Sequence, residues 1–176
     1  MWIKEITETS QFKMGRELAL DGEACIEVLH LTLEKKASLR FCVRGFSMSP
    51  FIKDGDIITL SGLSAGRIGL GQSIAFRRPC DKKLIIHRLV KIHKSPQMKY
   101  ITKGDNAKEP DCPISLGDML AYVKKVERNG KKILFGLGPE RKIIAFLSRQ
   151  NILRILSFFG RFNAYFIWKN KAIRRA

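Results

Sequence analysis

Between Leu39 and Phe135 the apolar residues fall into short runs, each bounded by Gly, Pro, Asn or Asp. Asp56 to Leu60, Gln72 to Phe76, Leu84 to Ile92, Met98 to Lys103, Met119 to Glu127 and Lys131 to Phe135 have the length and composition of β-strands. The last two flank Arg128-Asn129-Gly130. Asn-Gly between two such runs is a strong hairpin signal, because both residues tolerate the positive φ of a tight turn. Short strands at this spacing predict a curled, largely antiparallel sheet or a small barrel.

On either side of that region the period lengthens. Leu18, Cys25, Ile26, Leu29 and Leu33, between Ser10 and Lys36, recur mainly at three- and four-residue spacing, which favours helix with an interruption at Asp21-Gly22. Ile26 to Leu33 can also be read as alternating. After Glu140 no acidic residue follows, and Arg141, Lys142, Arg149, Arg154 and Arg161 are interleaved with Ile, Leu, Phe, Tyr and Trp. That segment predicts one or two basic amphipathic helices, broken near Gly160. The expected class is α+β, mainly β with appended helices: an N-terminal helical segment (1–38), a β-rich domain (39–138) and a basic amphipathic helical tail (139–176).

The 176 residues suit one domain of ordinary size with a core and some appended structure. Lys and Arg outnumber Asp and Glu by 33 to 16, a formal net charge of +17, which points to a polyanionic partner: nucleic acid or the head groups of an anionic bilayer. The tail has two readings. Its apolar face packs on the β core with the bases solvated, or it enters the boundary of an anionic membrane surface. Nucleic acid is the less favoured partner, since 10–36 is short for a complete helix-turn-helix unit and lacks a basic recognition helix.

Cys25, Cys42, Cys80 and Cys112 have neither zinc-ligand nor disulfide-framework spacing, so no metal is expected and free thiols in a reducing compartment fit best. The first residues carry acids where a secretory signal has an apolar core, and no run reaches the roughly 18–20 apolar residues of a membrane span. The expectation is a cytoplasmic protein, peripheral on the inner face of the membrane if the tail binds lipid.

Three short segments carry candidate chemistry. In Gly45-Phe46-Ser47-Met48-Ser49-Pro50, Ser47 stands between a flexible glycine and a proline-fixed turn just after the apolar stretch Leu39 to Val43, where its hydroxyl can be exposed at a strand end; serine in such a turn is also an ordinary turn-former. His87 lies inside Leu84 to Ile92, on one strand face with Ile85 and Leu89. A neutral imidazole there can take a proton from a serine hydroxyl, and a hydrogen-bonded core histidine is the bland alternative. Tyr100 to Asp111 is a polar loop in which Asp105 or Asp111 could orient that histidine, or simply form a turn. A carboxylate in this role fixes the tautomer of the base and stabilises imidazolium.

Taken in order, GFSMSPFIKDGD, IIHRLVKI and YITKGDNAKEPD resemble the motifs of the signal-peptidase clan of serine proteases, which also contains the self-cleaving SOS repressors. The resemblance covers about 39–122. His87 stands where bacterial-type members carry a catalytic lysine, so the chain is similar to the Ser/His branch of the endoplasmic-reticulum and archaeal type.

The resemblance implies a signal-peptidase type of sheet, with Ser47 as nucleophile and His87 as general base. It also implies Asp111 as the orienting acid, six residues beyond the aspartate of Gly104-Asp105-Asn106, which leaves Asp105 as a supporting or alternative carboxylate. Gly45 occupies the position where some relatives carry an oxyanion serine, so backbone donors of the loop around Gly45 and Met48 are expected to serve. The implied substrate is a peptide or precursor protein, docked as an extended strand, and no cofactor is needed. The other functions considered are a self-cleaving DNA-binding regulator and a degenerate protease retained as a peptide-binding module.

Overall fold

In the computed structural model, residues 2–8, 22–63, 68–94 and 97–155 are described. The strands are β1 (Trp2–Glu8), β2 (Leu39–Arg44), β3 (Ile57–Gly62), β4 (Ser73–Arg77), β5 (Leu84–His93), β6 (Lys99–Lys103), β7 (Met119–Arg128) and β8 (Lys131–Ile133). Among the described residues two α-helices accompany them, α1 (Gly22–Glu34) and α2 (Arg141–Arg149). Seven strands form one antiparallel path in the order β1-β2-β3-β7-β4-β5-β6, and β8 is paired to β7 off that path. The long strand β7 is the spine. Along one edge it pairs with β3, while its other edge serves β4 at Met119–Tyr122 and β8 at Val126–Arg128.

Alternation explains most of the sheet. In β2, Leu39, Phe41 and Val43 are buried while Arg40, Cys42 and Arg44 are not, as a strand with one covered face requires. The strand β5 differs, because every residue from Leu84 to Val90 is buried. Leu84 and Ile86 belong to the main core with Leu29, Phe41 and Met48; Ile85 and Leu89 belong to a second cluster with Ile74, Phe76 and Tyr100. His87 and Arg88 are therefore back to back on a strand covered on both faces.

Helix α1 closes the main core with Cys25, Ile26 and Leu29, which settles the helix-or-alternation choice at Ile26 to Leu33 in favour of helix. It begins at Gly22, where an interruption was expected. A third cluster joins Phe51 to Ile144 and Leu153, with Leu147 packed against it, so α2 sits on the loop that follows Ser47. On that helix the inward reading of the tail holds for Ile144, Ala145 and Ser148, whereas Ile143 and Phe146 are exposed.

Several expectations need correction. Residues 2–8 are not part of a helical segment but an edge strand, pairing with β2 from Trp2↔Arg44 to Glu8↔Leu39. The backbone donors and acceptors along the outer edge of β2 need partners, and a Trp-, Ile- and Thr-containing run supplies them more readily as strand than as helix. The sheet is not closed, since β1 and β6 end its path without pairing to each other, so the barrel alternative falls. The last strand stops at Ile133, and Leu134 and Phe135 are exposed beyond it. Leu18, the break near Gly160 and the tail from 156 onward lie outside the described residues. Among the described residues, no helix is long and apolar enough to cross a membrane.

Candidate active site

Ser47 lies in the loop between β2 and β3, and that loop is tied down at both ends. The Gly45 N–H donates to Asp54 Oδ1 at 2.8 Å, and Gly45 has φ 103°, a value that favours glycine. Val43 exchanges backbone hydrogen bonds with Gly55 and Asp56. The buried Asp56 carboxylate receives Arg128 Nε at 2.8 Å and Nη2 at 2.7 Å, while Arg128 also reaches the Phe51 carbonyl. Two acids of Lys53-Asp54-Gly55-Asp56 and an arginine of the Asn-Gly hairpin thus hold the serine loop. The Met48 side chain is fully buried in the main core, so it anchors the loop rather than facing solvent.

His87 projects from β5 toward this loop. Its Nε2 is 3.0 Å from Ser47 Oγ, and its Nδ1 is 2.6 Å from Asp111 Oδ2. Both the imidazole and the carboxylate are about nine-tenths buried. An ionised carboxylate only accepts hydrogen bonds, so Nδ1 carries the proton and Nε2 offers its lone pair to the serine O–H. Thr102 donates its hydroxyl to the same Asp111 oxygen at 2.8 Å, and the Asp111 N–H donates to the Thr102 carbonyl at 2.8 Å. The acid is held by main chain and side chain of β6, with its lone pairs directed at the histidine edge.

Asp105 takes a different place. Its carboxylate receives Arg88 Nε at 2.8 and 3.1 Å and Nη2 at 2.8 Å, a buried bidentate pair. Burial pushes the Asp105 carboxyl above the usual carboxylate range, opposed by the charge and hydrogen bonds of Arg88. The remaining guanidinium nitrogen donates to the carbonyls of Gly71 and Gly136 at 2.7 and 2.9 Å, and the guanidinium carbon lies 5.2 Å from the Phe51 ring centre. Arg88 therefore ties together the loop after β6, the approaches to β4 and α2, and the segment behind Ser47.

The two carboxylates proposed for one role are thus sorted to opposite faces of β5. Asp111 is with His87, and Asp105 is with Arg88. Between them, the Asn106 N–H donates to the Ser47 carbonyl at 2.8 Å, linking the acid-bearing loop to the serine loop. Gly104 makes that approach possible: a Cβ there would lie 2.7 Å from the Ser47 carbonyl oxygen and 3.0 Å from His87 Nε2.

Sequence reasoning gives no functional role to Thr102, Arg88, Gly104 or Asn106. The available signal for Thr102 was its place next to Lys103-Gly104-Asp105 on a strand end; for Arg88 it was a guanidinium inside an apolar run, which demands a carboxylate. Chemically, the arrangement can lower the cost of removing the Ser47 proton and can stabilise the imidazolium that results. No protein-family model matches the chain.

Proposed function

We propose that the protein is a serine endopeptidase of the signal-peptidase-like kind, cleaving a peptide or precursor protein through Ser47, His87 and Asp111. The observation that carries this reading is the imidazole of His87 bridging Ser47 Oγ at 3.0 Å and Asp111 Oδ2 at 2.6 Å. A core histidine needs one partner on each nitrogen, but not a loop serine on one side and a doubly anchored carboxylate on the other. In this mechanism Ser47 Oγ attacks the scissile carbonyl carbon as Nε2 takes its proton. The tetrahedral intermediate collapses with expulsion of the amine, which leaves with the proton returned by His87. Water, deprotonated by the same nitrogen, then releases the acyl group and restores the Ser47 hydroxyl.

The developing oxyanion is served by main-chain N–H groups of the Ser47 loop, because Gly45 has no hydroxyl to offer. An extended substrate strand would dock along the sheet near the loop, as in other strand-addition complexes. The outward Ile143 and Phe146, beside Lys142, support a surface contact with anionic lipid on α2. Flotation with anionic vesicles checks that contact, and equal flotation of the double variant Ile143→Ser/Phe146→Ser removes it.

The decisive experiment compares the peptide termini produced from a cell-derived peptide library by the wild type and by Ser47→Ala. New termini that appear only with the wild type, together with labelling of Ser47 by a fluorophosphonate probe, are expected. No difference between the two proteins would overturn the peptidase reading in favour of a binding module.

A further inference from the structure

Away from the Ser47-His87 pair, the β5–β6 hairpin, the loop before Asp111 and the end of α2 enclose a pocket of about 320 Å³. Among the described residues its charged lining is Lys91, His93, Lys103, Lys108 and Arg149 against one acid, Glu109. Val90, Ile101 and Pro110 supply apolar wall. Among the described residues, none of Lys91, Lys108 and Arg149 has a carboxylate within 4 Å. Cations gathered in a concavity in excess over its acid repel one another and favour entry of an anion.

The buried member of the set adds a second observation. The Lys103 ammonium, almost wholly buried, donates to the Ser148 carbonyl and to Asn151 Oδ1, both at 2.6 Å. Both acceptors are neutral, and an ammonium has three N–H bonds to place. Desolvation pulls its pKa below the usual lysine value, with Glu109 the largest influence opposing that fall. A buried cation held only by neutral acceptors is under-compensated, and an anion in the pocket would relieve it.

We propose that this pocket binds an acidic segment of the polypeptide substrate, outside the residues that flank the scissile bond. The assignment rests on the peptidase reading for the word substrate, whereas the pocket's preference for acidic peptide stands on its own charges. Location supports the coupling: Lys108, Glu109 and Pro110 line the pocket and run directly into Asp111, the carboxylate on His87. Among the described residues the lining favours peptide over single-stranded nucleic acid, because these include no Phe, Tyr or Trp on which bases would stack, while Val, Ile and Pro suit aliphatic stems. Its volume lies at the small end of ligand pockets, enough for a few side chains of an extended segment.

The test uses the full chain carrying Ser47→Ala, so that binding is read without turnover. A fluorescein-labelled Glu-rich peptide is titrated by anisotropy against the same peptide with every Glu replaced by Gln. The Glu peptide should bind more tightly, and Lys91→Glu/Lys108→Glu should weaken it about tenfold or more. The equally charged control Lys131→Glu/Lys132→Glu, on the exposed β8 hairpin, should leave it within about twofold. Equal loss in the control, or equal binding of the two peptides, overturns the pocket. An oligonucleotide that binds more tightly than the Glu peptide, with the same dependence on Lys91 and Lys108, overturns the peptide assignment.

The two readings fail separately. If the protein with Ser47 intact cleaves nothing while Glu-peptide binding survives, the peptidase reading falls and an acidic-peptide site remains. If it cleaves acidic and neutral peptides alike and the pocket variants change nothing, the pocket falls and the peptidase stands.

Discussion

Replacing Arg88 by methionine removes one charge from the interior and leaves another behind. Methionine fills a similar volume along the aliphatic stem, so packing loss is small; the consequence is electrostatic. The Asp105 carboxylate, 1 % exposed, loses three hydrogen bonds from Arg88, and the carbonyls of Gly71 and Gly136 lose their donor. Removing one partner of a buried pair typically costs about 3–5 kcal/mol. Since a domain has about 5–15 kcal/mol in total, the variant should still fold but with a urea midpoint lowered by about 1–3 M.

The pH dependence follows from the direction of the Asp105 shift. Burial raises its carboxyl in the folded state and Arg88 opposes that rise; without Arg88 the rise is larger. The folded variant then holds a proton that the unfolded chain releases above about 3.9. Its stability falls as pH rises through the window up to the folded pKa, and is level above it. The deficit against wild type should be smaller at mildly acidic than at mildly alkaline pH. In the double variant Arg88→Met/Asp105→Leu neither charge remains, and much of the lost stability should return. Urea melts of the wild type, the single variant and the double variant at two pH values decide the matter. A single variant within about 1 kcal/mol of wild type, or a double variant no more stable than the single, refutes the reasoning.

Other changes act on the proposed reaction rather than the fold. Asp111→Asn should lower kcat by about 10⁴, as loss of the orienting acid does in serine triads, with an almost unchanged melting temperature. Asp105→Asn should do the reverse, lowering the melting temperature while the folded fraction stays active; exchanged outcomes would exchange the roles of the two acids. Gly104→Ala introduces a methyl 3.0 Å from His87 Nε2 and should cost about 10²-fold in kcat with only about 1–3 kcal/mol of stability; an unimpaired alanine variant would mean the loop can retreat without disturbing the histidine.

Much of the sheet is legible in the chain because its strands are short, punctuated and in part alternating. The Asn129-Gly130 hairpin joins β7 to β8 with positive φ at both residues, as the dipeptide requires. What local pattern could not supply is the use of distant edges. Whether residues 2–8 pair with β2 depends on an unfilled edge roughly forty residues away, and no periodicity within a seven-residue run encodes that. The same limit applies to closure of a barrel, which depends on whether β1 and β6 meet. Strand count and spacing are compatible with either answer.

For the candidate site, the choice between Asp105 and Asp111 shows where a physical reading could have gone further. Both are short carboxylates in one loop, and either satisfies the logic of orienting a histidine. But alternation places residues 87 and 88 of β5 on opposite faces, and Arg88 pairs across the ladder with Lys103. A guanidinium buried opposite a lysine must find a carboxylate on its own face, while the imidazole must find its acid on the other. Thr102, one residue before Lys103, belongs to the histidine face and bonds Asp111; Asp105 lies on the arginine face and bonds Arg88. The side-chain period of two, carried one residue past His87, separates the acids before any distance is measured. It also explains why the loop needs both: one carboxylate faces the proposed chemistry, and the other neutralises the cation that holds the loop in place.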